Sequence, residues 1–314
     1  MSAAVVMLVI GLVLTVKGGD VFVDASVWFA EAMGLPKFLV GATVVSLATT
    51  LPELAVSLLA TLRGAAGIAA GNAVGSVAAN LGLILGVSLC AAPGPLGRGQ
   101  GERLLLMAGA AALLFILCAD GQMGTLEALP ALALCVGFLA HSAVSGRRLS
   151  RASTERGARP PFGALAGQGV KFVAGGAGIA AGARLLCDYG AALARLCGVS
   201  EGVIGATLVA VGTSLPELVT TVTALSRGEG NLSVGNIVGA NIIDLTLILP
   251  LCALSRGGRL PLPRQTLALD LPACLALTAL AVAPPLTTGR FRRWQGVALL
   301  SLYGVYSFTV MTGR

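Results

Sequence analysis

One segment of this chain returns at a fixed distance, and that recurrence limits what the chain can become. Residues Gly41 to Leu54 reappear as Gly205 to Leu218, 164 positions later, with nine of the fourteen identical. Each copy sets hydroxyls, a proline and a carboxylate within an apolar run. These are Thr49, Thr50, Pro52 and Glu53 in the first, and Thr213, Ser214, Pro216 and Glu217 in the second. A second pair keeps the same register, because Gly71 to Asn80 aligns with Gly235 to Asp244 at the same offset. Two composite matches without drift between them indicate an internal duplication.

The surroundings give the duplication its meaning. Of 314 residues, 56% are hydrophobic and only 11% charged, too few polar groups to cover a soluble protein of this size. Apolar stretches of helical length argue for an all-α, polytopic membrane protein rather than a barrel. Ten spans are expected, near 2–17, 37–62, 68–92, 103–119, 125–144, 163–184, 202–226, 232–254, 266–285 and 294–312. The stretch 20–34, with Asp20, Asp24 and Glu31, reads as a more polar connector. Met1 to Val16 lacks a basic start and a cleavage site, so it reads as the first span, not a removable signal.

Several function classes drop out. Aromatic residues make up 4% of the chain, leaving little stacking surface, so no nucleic-acid partner is expected. The seven cysteines form no CxxC and read as small buried hydrophobes, and the one histidine, His141, has no ligand partner nearby in sequence. No GxSxG, HExxH or aspartyl-type pair is present, so the chain is not expected to be an enzyme.

The segment Ser145 to Pro161 carries five arginines and ends in two prolines. It reads as a basic cytoplasmic linker, 145–162, between a first half, 1–144, and a second, 163–314. Five spans per half is an odd number, so the halves enter the membrane from opposite sides as inverted repeats, a construction common in secondary transporters. With the linker in the cytoplasm, that side holds thirteen Lys and Arg in its loops against seven on the other, which puts both termini outside. Arg256, Arg259 and Arg264 run against that bias.

The motifs offer oxygen almost exclusively. Pro52 and Pro216 cannot donate a backbone hydrogen bond and so release carbonyls one turn back, near Ala48, Thr49, Gly212 and Thr213. Hydroxyls and two carboxylates stand beside them. Hard cations such as Ca2+ and Na+ take such donors, whereas softer metals call for Cys or His. Gly71, Gly75, Gly235 and Gly239 leave room for a helix of the other repeat to press in. Asn72, Asn80, Asn236 and Asn241 supply amides, and Asp244 is a third acid, at the position where the first repeat has Asn80. Asp270, beside Pro272, reads as an interfacial residue.

These two motif pairs resemble the alpha-repeats of the sodium/calcium exchanger family, within the cation/calcium antiporter superfamily, in its compact prokaryotic form. The resemblance covers essentially the whole chain, with the alpha-1 motif at 41–86 and the alpha-2 motif at 205–250. It implies Na+/Ca2+ antiport by alternating access, with interrupted motif helices and Ca2+ and Na+ as cargo rather than cofactor. It also implies a multi-pass protein of the cytoplasmic membrane whose partners are these ions and the lipid bilayer, with the monomer as functional unit. Position by position, Glu53 and Glu217 would form the pair shared by Ca2+ and Na+. Thr49 and Thr213 would offer carbonyls to Ca2+ and oxygens to Na+. Thr50, Ser214 and Ser76 would line Na+ positions, completed by the carbonyls of Ser46 and Ala210, and Asn80 and Asp244 would line the middle. Three positions depart from the family pattern. Ala240 replaces the serine that would match Ser76, Ala48 replaces the glycine seen as Gly212, and Thr50 replaces a serine. The loss of a hydroxyl at Ala240 keeps a H+/Ca2+ antiporter and a K+-dependent exchanger open as alternatives.

Overall fold

The computed structural model describes residues 2–97, 99–154, 161–196 and 210–312, nearly all of them helical. In chain order the helices are α1 (Ser2–Ala32), α2 (Lys37–Leu62), α3 (Ala66–Ala91), α4 (Gln100–Leu117), α5 (Thr125–Thr154) and α6 (Phe162–Leu196), followed by α7 (Ala210–Thr213), α8 (Leu215–Ser226), α9 (Gly230–Ser255), α10 (Thr266–Thr288) and α11 (Arg293–Thr312). Among the described residues, eight helices are long and apolar enough to cross a membrane: α1 to α6, α9 and α10. Part of the expected seventh span, 202–209, lies outside the described residues.

Three boundaries differ from the sequence expectation. The first helix does not stop near residue 17 but runs to Ala32, through the acidic stretch that reads as a connector. The acids are tolerated because distant cations meet them. Arg227 pairs with Asp20 at 2.9 Å and with Asp24, and Lys37 pairs with Glu31 at 3.2 Å. The sixth helix likewise continues past 184 to Leu196, the position 164 residues after Ala32. Third, the basic linker begins as helix, since α5 extends to Thr154. Arginine is a good helix former, and no glycine or proline interrupts residues 147–156.

The chain packs as two compact units, and each draws on both sequence halves. The first comprises Met1–Thr49 with His141–Asn236, the second Thr50–Ala140 with Ile237–Arg314. In the first unit, α1 lies along α6. Gly18 allows this approach, because a Cβ there would come within 2.8 Å of the Gly175 carbonyl oxygen. Phe22 and Phe172 stack beside the seam with centroids 4.4 Å apart, and Val40, Val45, Ile179, Ala224 and Leu232 complete the core.

In the second unit α3 is largely buried, and α11 packs against it. A short antiparallel ribbon adds to the all-α fold. Its strands, β1 (Gln122–Gly124) and β2 (Arg259–Pro261), join the turn after α4 to the turn after α9, with buried Met123 opposite buried Leu260.

Candidate cation site

The two copies of the first motif fold differently at the backbone. In the first, α2 passes through a π-helical segment, Gly41–Val45, and then stays helical across Pro52 to Leu62. In the second, the helix breaks at Ser214, between α7 and α8, with Pro216 in the first turn of α8. The residues one turn before each proline account for this. Ala48 is the best helix former, whereas Gly212 is less favourable by about 1 kcal/mol. The interrupted motif helix expected for both repeats is therefore found in the second copy alone among the described residues.

The second motif is more nearly symmetric. A π-helical segment opens at Asn80 in α3 (Asn80–Leu85) and another at Asp244 in α9 (Asp244–Ile248). These two residues are the 164-offset pair. A π turn widens the helix and shifts its hydrogen bonds by one residue, and such turns concentrate at functional sites.

Within the first unit, Ser46 and Thr49 are buried on α2. Ser46 donates to the Thr43 carbonyl at 3.1 Å, and Thr49 donates to the Ser46 carbonyl at 3.3 Å and to Asn236 Oδ1 at 3.4 Å. The second contact joins the two repeats. Gly41 and Gly235 make it possible: a Cβ on Gly41 would lie 2.4 Å from the Leu232 carbonyl oxygen, and one on Gly235 would lie 2.3 Å from that of Phe38. The expected role of Gly235 is thus met. Gly71 and Gly75 do not share it, since nothing described lies within 4 Å of a Cβ at either. The segment that repeats Phe38–Gly41 at the offset, 202–205, lies outside the described residues. In the second copy Glu217 is 1% exposed, Ser214 is buried with no hydrogen-bond partner for its Oγ among the described residues, and Thr213 is half-buried. Ala210 opens the short helix α7.

Within the second unit, Glu53 is 1% exposed. Asn72 on α3 braces the turn that carries it, donating to the Glu53 backbone carbonyl at 3.1 Å and to Ser57 Oγ at 2.9 Å. Thr50 Oγ1, Ser76 Oγ and Asn80 Oδ1 are buried without a hydrogen-bond partner among the described residues. The Asn80 amide donates to Asn241 Oδ1 at 3.1 Å, and Asn241 in turn donates to the Met107 sulfur. Asp244 is buried where its π turn begins. Ala240 is fully buried and brings no oxygen.

An orphaned hydroxyl in a dry interior costs about 1–3 kcal/mol. Four polar oxygens left in that condition, on Thr50, Ser76, Asn80 and Ser214, are donors suited to a hard cation. Among the described residues no three His, Cys, Asp or Glu side chains gather as a metal centre. Sequence reasoning placed Asp270 at the interface. The structure buries it and gives its Oδ1 two donors, Tyr306 Oη at 3.1 Å and Gln265 Nε2 at 3.4 Å. Thr220, Thr221 and Ser233 were not singled out, although their orphaned oxygens are also buried. Thr221 lies one helical turn after Glu217, which is the pattern that would have revealed it.

The sequence profile described as sodium/calcium exchanger protein matches residues 3–144 and 169–312. The chain belongs to the sodium/calcium exchanger family. Its members carry out cation/Ca2+ antiport, so this is a transporter and not an enzyme. Among relatives, it is 31% identical to sodium/calcium exchanger MaX1 of Methanosarcina acetivorans, over 94% of this chain and 95% of that one. It is 34% identical to inner membrane protein YrbG of Escherichia coli, over 83% and 82%. The solved structure of the sodium-calcium exchanger NCX_Mj soaked with Na+ and Sr2+ superposes with a TM-score of 0.84 at 30% identity, covering 96% of each chain. This exchanger is therefore a multi-pass membrane protein of known fold.

Proposed function

We propose that this chain exchanges Na+ for Ca2+ across a prokaryotic cytoplasmic membrane by alternating access, as a monomer with both termini outside. Glu53 and Glu217 act as shared ligands. Thr49, Thr50, Thr213, Ser214, Ser76, Asn80 and Asp244, with the carbonyls of Ser46 and Ala210, supply the remaining oxygens. The observation that carries this reading is the burial of both glutamates, each 1% exposed and each directly after its motif proline, in motifs whose Thr50 and Ser214 hydroxyls have no hydrogen-bond partner among the described residues. An acid is retained at such a depth when it serves an ion. The relative MaX1 is named a sodium/calcium exchanger, NCX_Mj was solved after soaking with Na+ and Sr2+, and YrbG is named an inner membrane protein.

Two ionised carboxylates are neutralised by one Ca2+ or by two Na+. An empty, doubly charged site would be disfavoured in a low-dielectric region, which ties movement to occupancy and makes exchange the outcome rather than leak. The glycine-lined α1–α6 seam supports α1 and α6 as the moving pair. Ala240 supports a second reading, coupling to H+ or K+, because a position that would match Ser76 lacks a hydroxyl.

Radioactive Ca2+ uptake into inverted vesicles separates these readings. Uptake driven by vesicle-loaded Na+ supports Na+ coupling; uptake that follows only a pH gradient or requires K+ overturns it. Glu53→Gln and Glu217→Gln should each abolish uptake while membrane yield is kept. Ca2+ transport retained in both variants would refute the shared site.

A further inference from the structure

Buried hydroxyls in this chain commonly donate to the carbonyl one turn back. Thr15, Ser26, Thr61, Ser88, Thr246 and Thr278 all do so. Thr220, Thr221 and Ser233 do not. Their exposures are 1%, 0% and 0%, and their oxygens have no hydrogen-bond partner among the described residues. All three belong to the first unit. On α8, Thr220 and Thr221 follow Glu217 by three and four residues, one turn further along the helix. On α9, Ser233 precedes Asn236 by three residues, and the Asn236 amide nitrogen is likewise buried and without a partner. The set of orphaned polar atoms thus extends beyond the motif. In sequence it is a line that runs along α8 toward its C-terminal end and along α9 back toward its N-terminal end, and its two arms meet at the turn 227–229.

A charge network occupies that turn. Arg227 pairs with Asp20 at 2.9 Å and with Asp24, while Lys37 holds Glu229 at 2.6 Å and Glu31 at 3.2 Å. Three of the acids lie on α1, and the cations stand at the start of α2 and just after α8. The network therefore ties α1 to the elements that carry the polar line.

We propose that this line is the route by which cations reach the motif from the membrane face bearing Arg227, and that the four ion pairs are its latch. The proposal rests on the antiport reading and deepens it. A buried hydroxyl that forgoes the back-bond is unfavourable in a dry helix interface. Three in succession are accounted for when water or a passing ion meets them in an open state. The paired side chains are partly exposed, so each pair is individually weak and can part within a transport cycle.

The test is thiol accessibility. Thr221→Cys and Ser233→Cys are placed singly in a cysteine-free chain, with the latch intact or opened by Lys37→Gln with Arg227→Gln. A membrane-impermeant methanethiosulfonate reagent is applied from the Arg227 face. Opening should speed labelling about tenfold, as expected when several weak pairs act together. Equal rates with the latch intact and opened, whether both fast or both absent, overturn the proposal. Thr221→Val in the native chain keeps the shape and removes the hydroxyl; it should slow Ca2+ flux several-fold, and unchanged flux also overturns the route. Labelling needs no transport. Latch-dependent labelling without Na+-driven flux would sink the Na+ reading and leave the route standing, whereas Na+-driven flux with latch-independent labelling would do the reverse.

Discussion

Removing the Asn72 amide should loosen the turn that carries Glu53, and the structure sets how much. Its nitrogen donates to the Glu53 carbonyl at 3.1 Å and to Ser57 Oγ at 2.9 Å, both of normal length. Side-chain hydrogen bonds between membrane helices average about 0.6 kcal/mol and reach about 1.7. Two of them lost in Asn72→Ala amount to about 1–3 kcal/mol of stability. Ser57→Ala removes one, about 0.5–1.5 kcal/mol. Because the Ser57 bond ends on Asn72, Ser57→Ala should cost almost nothing more once Asn72 is gone. The assay is reversible unfolding in detergent for the four proteins of the cycle, with half-saturating Ca2+ measured alongside. If half of the Asn72→Ala loss appears at the ion, half-saturating Ca2+ rises about two- to twelvefold. Free energies that add within about 0.3 kcal/mol would refute the brace.

Ala240→Ser restores a hydroxyl at a fully buried position and should raise apparent Na+ affinity several-fold in flux assays. An unchanged Na+ dependence, with stability lowered by about 1–3 kcal/mol, would mean that the new oxygen faces no ion. Tyr306→Phe strips the nearer donor from Asp270 and should cost about 1 kcal/mol in detergent unfolding; an equal loss in an Asp270→Ala background would show that the bond is not formed. Gly41→Ala would place a methyl 2.4 Å from a backbone oxygen and should lower folded yield sharply, while Gly75→Ala, with nothing described within 4 Å, should be tolerated. Equal tolerance at both positions would contradict the close crossing.

Much of the site was legible because its signals are local. Two prolines, two glutamates and an unvarying offset sufficed to anticipate buried carboxylates, and the same offset relates the π turns at Asn80 and Asp244. What was missed depends on partners far along the chain. Asp20 and Asp24 look like connector residues until Arg227, some two hundred positions away, neutralises them and lets α1 run on to Ala32. Asp270 shows no partner in the sequence, and Tyr306 meets it from 36 positions away. Thr220 and Thr221 look like ordinary helix threonines, because the choice of a hydroxyl not to bond back to its helix leaves no mark in the sequence.

The unequal backbones of the two motif copies carry a mechanical consequence. The stretch through Pro52 is an unbroken rod, whereas the stretch at Ser214 has a joint. Bending is easier at a joint than in a rod, so a swing through Ser214 and a swing through Pro52 face different stiffness. Turnover in one direction can then outpace turnover in the other under matched gradients, with the overall equilibrium unaltered. Ala48 in one arm and Gly212 in the other thus set the two copies of one motif to different stiffness.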